Sequence, residues 1–79
     1  MTQYYILEIQ KYQDGSYGHL VHIAYDADPD LARRKAESKY YEVMSAAALS
    51  GLPSHSVTLI FQNGSAVKSG CYTNNIENE

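Results

Sequence analysis

From Tyr4 to Tyr12 the side chains alternate, with Tyr5, Leu7 and Ile9 on one side and Tyr4, Ile6, Glu8, Gln10 and Tyr12 on the other. This period of two is that of a β-strand. Asp14-Gly15 follows, a pair suited to the centre of a two-residue type I′ turn, and a second strand from Gly18 to Tyr25 completes a hairpin. A two-residue loop sets the register: Tyr12 faces Tyr17, Gln10 faces His19, Glu8 faces Val21, Ile6 faces Ile23 and Tyr4 faces Tyr25, all on one side. Tyr5 with Ala24, Leu7 with His22, Ile9 with Leu20 and Lys11 with Gly18 occupy the other.

"DADPD", residues 26–30, reads as a helix start. Asp28 caps the free N–H groups, Pro29 suits the first helical position and Asp30 adds favourable negative charge. The spacing predicts a helix over 29–49, with Ala32, Ala36, Tyr40, Val43 and Ala47 as its apolar stripe, widened by Met44 and Ala48. Gly51 is expected to take the left-handed conformation past the helix end, and Pro53 prevents resumption.

"SVTLIFQNGSAVKSGCY" repeats the hairpin grammar around Asn63-Gly64. A two-residue loop pairs Val57 with Gly70, Leu59 with Lys68 and Phe61 with Ala66 on one face, and Thr58 with Ser69 and Ile60 with Val67 on the other. The expected fold is α+β, ββαββ: a four-stranded, mostly antiparallel sheet with one helix on one face. The helix returns the chain between hairpins, so an all-antiparallel sheet results if strand 1 pairs with strand 3 or strand 2 with strand 4; the order 2-1-3-4 is preferred. Residues 1–73 form the domain and 74–79 a flexible C-terminal tail.

The single helix covers the face expected to carry Tyr5, Leu7, Ile9, Leu20, Val57, Leu59 and Phe61. Tyr4, Ile6, Tyr12, Tyr17, Val21, Ile23, Tyr25, Ile60 and Val67 are left on the open side, a larger apolar patch than monomers usually expose. Tyrosine combines contact area, few rotatable bonds and a hydroxyl that tolerates water, so these nine residues are the candidate interface.

Composition narrows the class. In 79 residues there is one cysteine, Cys71, so no internal disulfide forms and a four-cysteine zinc site is impossible. Six Lys plus Arg against nine Asp plus Glu give a formal charge of −3, the wrong sign for broad attraction to phosphates. No apolar run is long enough to span a bilayer, and "MTQYYILEIQ" lacks the basic and apolar regions of a signal peptide. A cytoplasmic location is expected.

Candidate chemistry is sparse. His19 and His22 point to opposite faces and cannot chelate one metal. His55 lies near Tyr72, and one residue out of register from Cys71, where a thiol nucleophile would need it as a base. Asp26, Asp28 and Asp30 are accounted for by capping. "RRKAESK", residues 33–39, is the one basic cluster, and acids interrupt it. No cofactor is expected.

With "YYILEIQKYQDGSYGHLVHIAYD", "AESKYYEVMSAAALSGLPSHS" and "NGSAVKSGCY" in view, the chain resembles small uncharacterised proteins encoded in phages and prophages of gut Firmicutes. The resemblance implies a compact α+β accessory protein, located in the cytoplasm of a bacterial host cell or associated with the virion, and transfers no site residues. The functional expectation is a non-enzymatic protein-protein interaction module acting as a homodimer through its sheet face or edge, with an unknown protein partner. The alternative is a nucleic-acid-binding or nucleic-acid-mimicking protein.

Overall fold

A computed structural model describes residues 1–74. It carries β1 (Thr2–Lys11), β2 (Tyr17–Asp26), α1 (Pro29–Ala48), β3 (Ser54–Phe61) and β4 (Ala66–Thr73). The four strands form one antiparallel sheet in the order β2-β1-β3-β4, with the helix on one face. Both the ββαββ architecture and the strand order match expectation.

Each hairpin turns through three residues rather than two. Tyr12 N–H donates to Ser16 O at 2.8 Å and Gly15 N–H to Tyr12 O at 3.0 Å; Phe61 with Ser65 and Gly64 with Phe61 repeat this at 2.9 and 2.8 Å. Only the third loop residue has positive φ, +89° at Gly15 and +94° at Gly64. This is a type I turn closed by a left-handed glycine, not the expected type I′ turn. The following serine fixes each turn: Ser16 donates its N–H and hydroxyl to Asp14 Oδ1 at 2.9 and 2.6 Å, and Ser65 does the same to Asn63 Oδ1 at 3.0 and 2.6 Å.

The extra loop residue moves the first hairpin by one position. Tyr17 pairs with Lys11, Leu20 with Glu8, His22 with Ile6 and Ala24 with Tyr4. A one-residue slip exchanges the faces of one strand relative to the other. On β1 the expected inside and outside are therefore reversed. Tyr4 and Ile6 are buried in the core, whereas Tyr5, Leu7 and Ile9 belong to the open face. Tyr12 lies on the helix side, over Gly18 and past the helix-covered region. In the second hairpin an irregularity between Leu59 and Ile60 absorbs the extra residue: Val57–Gly70, Thr58–Ser69 and Leu59–Lys68 hold, while Ile60 rather than Phe61 pairs with Ala66.

The helix follows its sequence signals closely. Asp28 accepts a hydrogen bond from Asp30 N–H at 3.0 Å, and Pro29 opens the first turn. The buried residues of α1 are Ala32, Ala36, Tyr40, Val43 and Ala47, the expected stripe. They pack on Tyr4, Ile6, Val57 and Leu59, with Ala24, Met44 and Phe61 around the margin. Small alanines let the helix backbone approach the sheet, and Gly70 makes room for Met44: a Cβ there would lie 2.6 Å from its terminal methyl. Leu20 does face the helix side, but at 53 % exposure it is outside the core.

Two expectations at the helix end change. Gly51 does not adopt positive φ; the helix closes through Leu49 N–H to Ala46 O at 3.2 Å and Ser50 N–H to Ala47 O at 3.1 Å. Asn74, expected in the flexible tail, is tied down. Its backbone N–H reaches Pro53 O at 3.0 Å, and its side-chain amide donates to Ser50 O and Leu52 O at 3.0 and 2.6 Å. The rest of the expected tail, 75–79, lies outside the described residues.

Candidate functional site: the open sheet face and a buried cluster

The pleat sends Tyr5, Leu7 and Ile9 of β1, Tyr17, His19, Val21, Ile23 and Tyr25 of β2, and Ile60 of β3 to the side away from the helix. Tyr5 stands between Ile23 and Ile60, and Leu7 between Val21 and Thr58, giving cross-strand rows of apolar side chains. Tyr17 is 68 % exposed, Ile23 55 %, Tyr25 54 % and Val21 49 %. With Ile9, the accessible parts of these side chains amount to on the order of 500 Å², at the upper end of what a free monomer shows.

Of the nine candidate interface residues, the structure brings Tyr17, Val21, Ile23, Tyr25 and Ile60 together on this face. Val67 is exposed beside the β4 irregularity. Tyr4, Ile6 and Tyr12 leave the set, and Tyr5, Leu7 and Ile9 replace them. The electrostatics are distinctive for an acidic chain. Among the strand residues facing this side there is no carboxylate; the charged group is Lys11. The β3–β4 half presents hydroxyls in register, Ser54 with Thr73 and Thr58 with Ser69, and Ser56 opposite Cys71.

Beneath the helix lies a cluster that the alternation pattern hid. Glu8, on the core side of β1, is enclosed between two histidines: His22 Nε2 is 2.7 Å from Oε2, and His55 Nε2 is 3.0 Å from Oε1. Glu8 and His55 are both buried. Burial pushes the Glu8 carboxyl up, but hydrogen bonds from His22 and then His55 outweigh it and hold the group below the usual range. An ionised carboxylate accepts only, so each imidazole donates from Nε2, and the buried Nδ1 of His55 has no hydrogen-bond partner among the described residues. The histidines reach Glu8 along opposite diagonals, His22 from the partner of Ile6 and His55 from the partner of Gln10. Among the described residues no group of three His, Cys, Asp or Glu is placed to hold a metal ion.

The remaining candidates are dispersed. His19 and His22 do point to opposite faces, as expected. His55 pairs with Tyr72, whereas Cys71 pairs with Ser56 on the other side of the sheet, its Sγ 3.6 Å from Ser54 Oγ. That separates the thiol from the histidine a nucleophile would need. The basic cluster is matched charge for charge: Arg33 with Asp30 and Glu37, Arg34 with Asp30, Lys35 with Asp26 and Lys39 with Glu42, at 2.7–3.6 Å.

The fold and surface define an α+β domain with a helix-covered face and an open, tyrosine-rich face. No helix among the described residues is long and apolar enough to cross a membrane. No protein-family model, curated protein or solved structure matches the chain.

Proposed function

We propose that this chain is a non-enzymatic protein-interaction module that self-associates and presents its open sheet face to a protein partner. The observation that carries the reading is that, among the described residues, nothing covers Ile9, Tyr17, Val21, Ile23 and Tyr25, five large side chains on a face where the strands present no carboxylate. Apolar area of that extent is favourable to bury, and tyrosine adds hydroxyls that keep the surface soluble when it is free. An accessory role in a phage or prophage gene module follows from the resemblance of the hairpin and helix segments.

The test is mass in solution across a dilution series, for the unaltered chain and for Ile23→Ser with Tyr25→Ser. Both positions are more than half exposed, so the substitutions spare the core. Concentration-dependent assembly that weakens at least tenfold in the double variant, with an unchanged circular dichroism spectrum, supports the reading. A monomer at every concentration removes the self-association.

A further inference from the structure

We propose that β2 pairs edge to edge with β2 of a second copy of this chain, antiparallel about a two-fold axis centred on Val21. The inference rests on the self-association reading above and specifies where the copies meet.

Ladder parity comes first. Tyr12 bonds Ser16 across the first hairpin, and in an antiparallel pair the bonded positions alternate. Gly18, Leu20, His22 and Ala24 therefore turn their backbone groups toward β1. Tyr17, His19, Val21, Ile23 and Tyr25 turn theirs outward. All five of these outward residues are exposed, and an open cleft lined by His22, Ile23, Ala24, Tyr25, Lys35 and Lys39 separates this edge from the helix.

The edge also lacks the devices that normally keep edge strands apart. Across its ten residues β2 has no proline, no lysine and no break in register. The other edge strand, β4, has a register irregularity and an inward Lys68.

Two-fold symmetry then selects the register. Facing residues must both point outward, so an odd-numbered position meets an odd-numbered one. The pairing that engages all five outward residues of Tyr17–Asp26 sets Val21 against its own copy, His19 against Ile23 and Tyr17 against Tyr25, with about ten interchain hydrogen bonds. Each end gains a tyrosine pair on the open side. On the helix side Leu20 meets His22 and Gly18 meets Ala24, which sets the uncovered half of one β2 beside the helix-covered half of the other. Leu20, half exposed in the single chain, gains a neighbour. Asp26 falls opposite Ser16, so no carboxylates confront each other. The axis is perpendicular to the sheet, and both open faces therefore lie on one side as a continuous apolar floor.

Hydrogen exchange of the unaltered chain at low and high concentration, read with its mass, tests the pairing. A dimer in which the amides of Tyr17, His19, Val21, Ile23 and Tyr25 gain protection together is the expected result. A dimer whose five amides exchange as fast as in the dilute chain overturns the edge pairing and leaves self-association standing; a chain that never dimerises overturns both. Val21→Pro provides a second reading, because it deletes an outward N–H that the single chain does not use. If it folds, its dissociation constant should rise at least 100-fold, and unchanged assembly would overturn the proposal.

Discussion

Glu8 Oε1 lies 3.0 Å from His55 Nε2 across neighbouring strands, and the residues are only 8 % and 7 % exposed. With His22 on the other oxygen, a carboxylate that would be costly to bury alone becomes an acceptor with two donors. Glu8→Ala leaves both imidazoles without their partner. It should destabilise the fold by about 2–3 kcal/mol in urea unfolding monitored by circular dichroism.

The same carboxylate ties stability to acid. Its folded pKa lies below the unfolded value because the histidine hydrogen bonds outweigh burial. A depressed carboxyl contributes stability that is present above the unfolded pKa, about 4.3 for Glu, and lost as pH falls through the folded value. The melting temperature should fall as pH drops below about 4. Glu8→Gln should start lower at neutral pH and show a shallower decline in the same acid range.

The two loop glycines should behave alike. At φ of +89° and +94° each occupies a region that L side chains rarely adopt, and a Cβ at either site meets nothing within 4 Å. Gly15→Ala and Gly64→Ala should therefore each cost about 1 kcal/mol through backbone strain alone. A much larger loss in chemical denaturation would mean that the loops make packing contacts.

Asp28 caps the helix through Asp30 N–H. Asp28→Ala should cost about 1 kcal/mol, and Asp28→Ser should recover most of it, in equilibrium unfolding.

The paired cations of α1 carry a prediction about nucleic acid. Arg33, Arg34, Lys35 and Lys39 each already face a carboxylate. Fluorescence anisotropy with single-stranded and duplex DNA at low salt should show no saturable binding in the micromolar range. A tight complex that weakens steeply with salt would require those pairs to open.

The helix was legible because its signals agree: Asp28, Pro29 and the alanine-rich stripe all follow from local chemistry and a 3.6-residue period. Chain direction narrowed the strand order to a β1–β3 or a β2–β4 junction, and the first is the one found. The faces of β1 were not legible, because Tyr5, Leu7 and Ile9 are as apolar as Tyr4 and Ile6, and Glu8 makes the core side look like the wet one. What buries Glu8 comes from β2 and β3, visible only in the correct register. The signal that identifies the loop is the serine after Asp-Gly and Asn-Gly, whose N–H and hydroxyl both return to the Asx side chain.

Those matching loops, Gln13–Gly15 and Gln62–Gly64, also bear on how such a chain can change by descent. A point substitution alters what one position of a face carries, but a single-codon insertion or deletion in the first loop reassigns a whole strand from inside to outside. Lineages that diverge only by substitution therefore keep the tyrosines of β2 outward, however much their composition drifts. A change in loop length would create a different surface in one step.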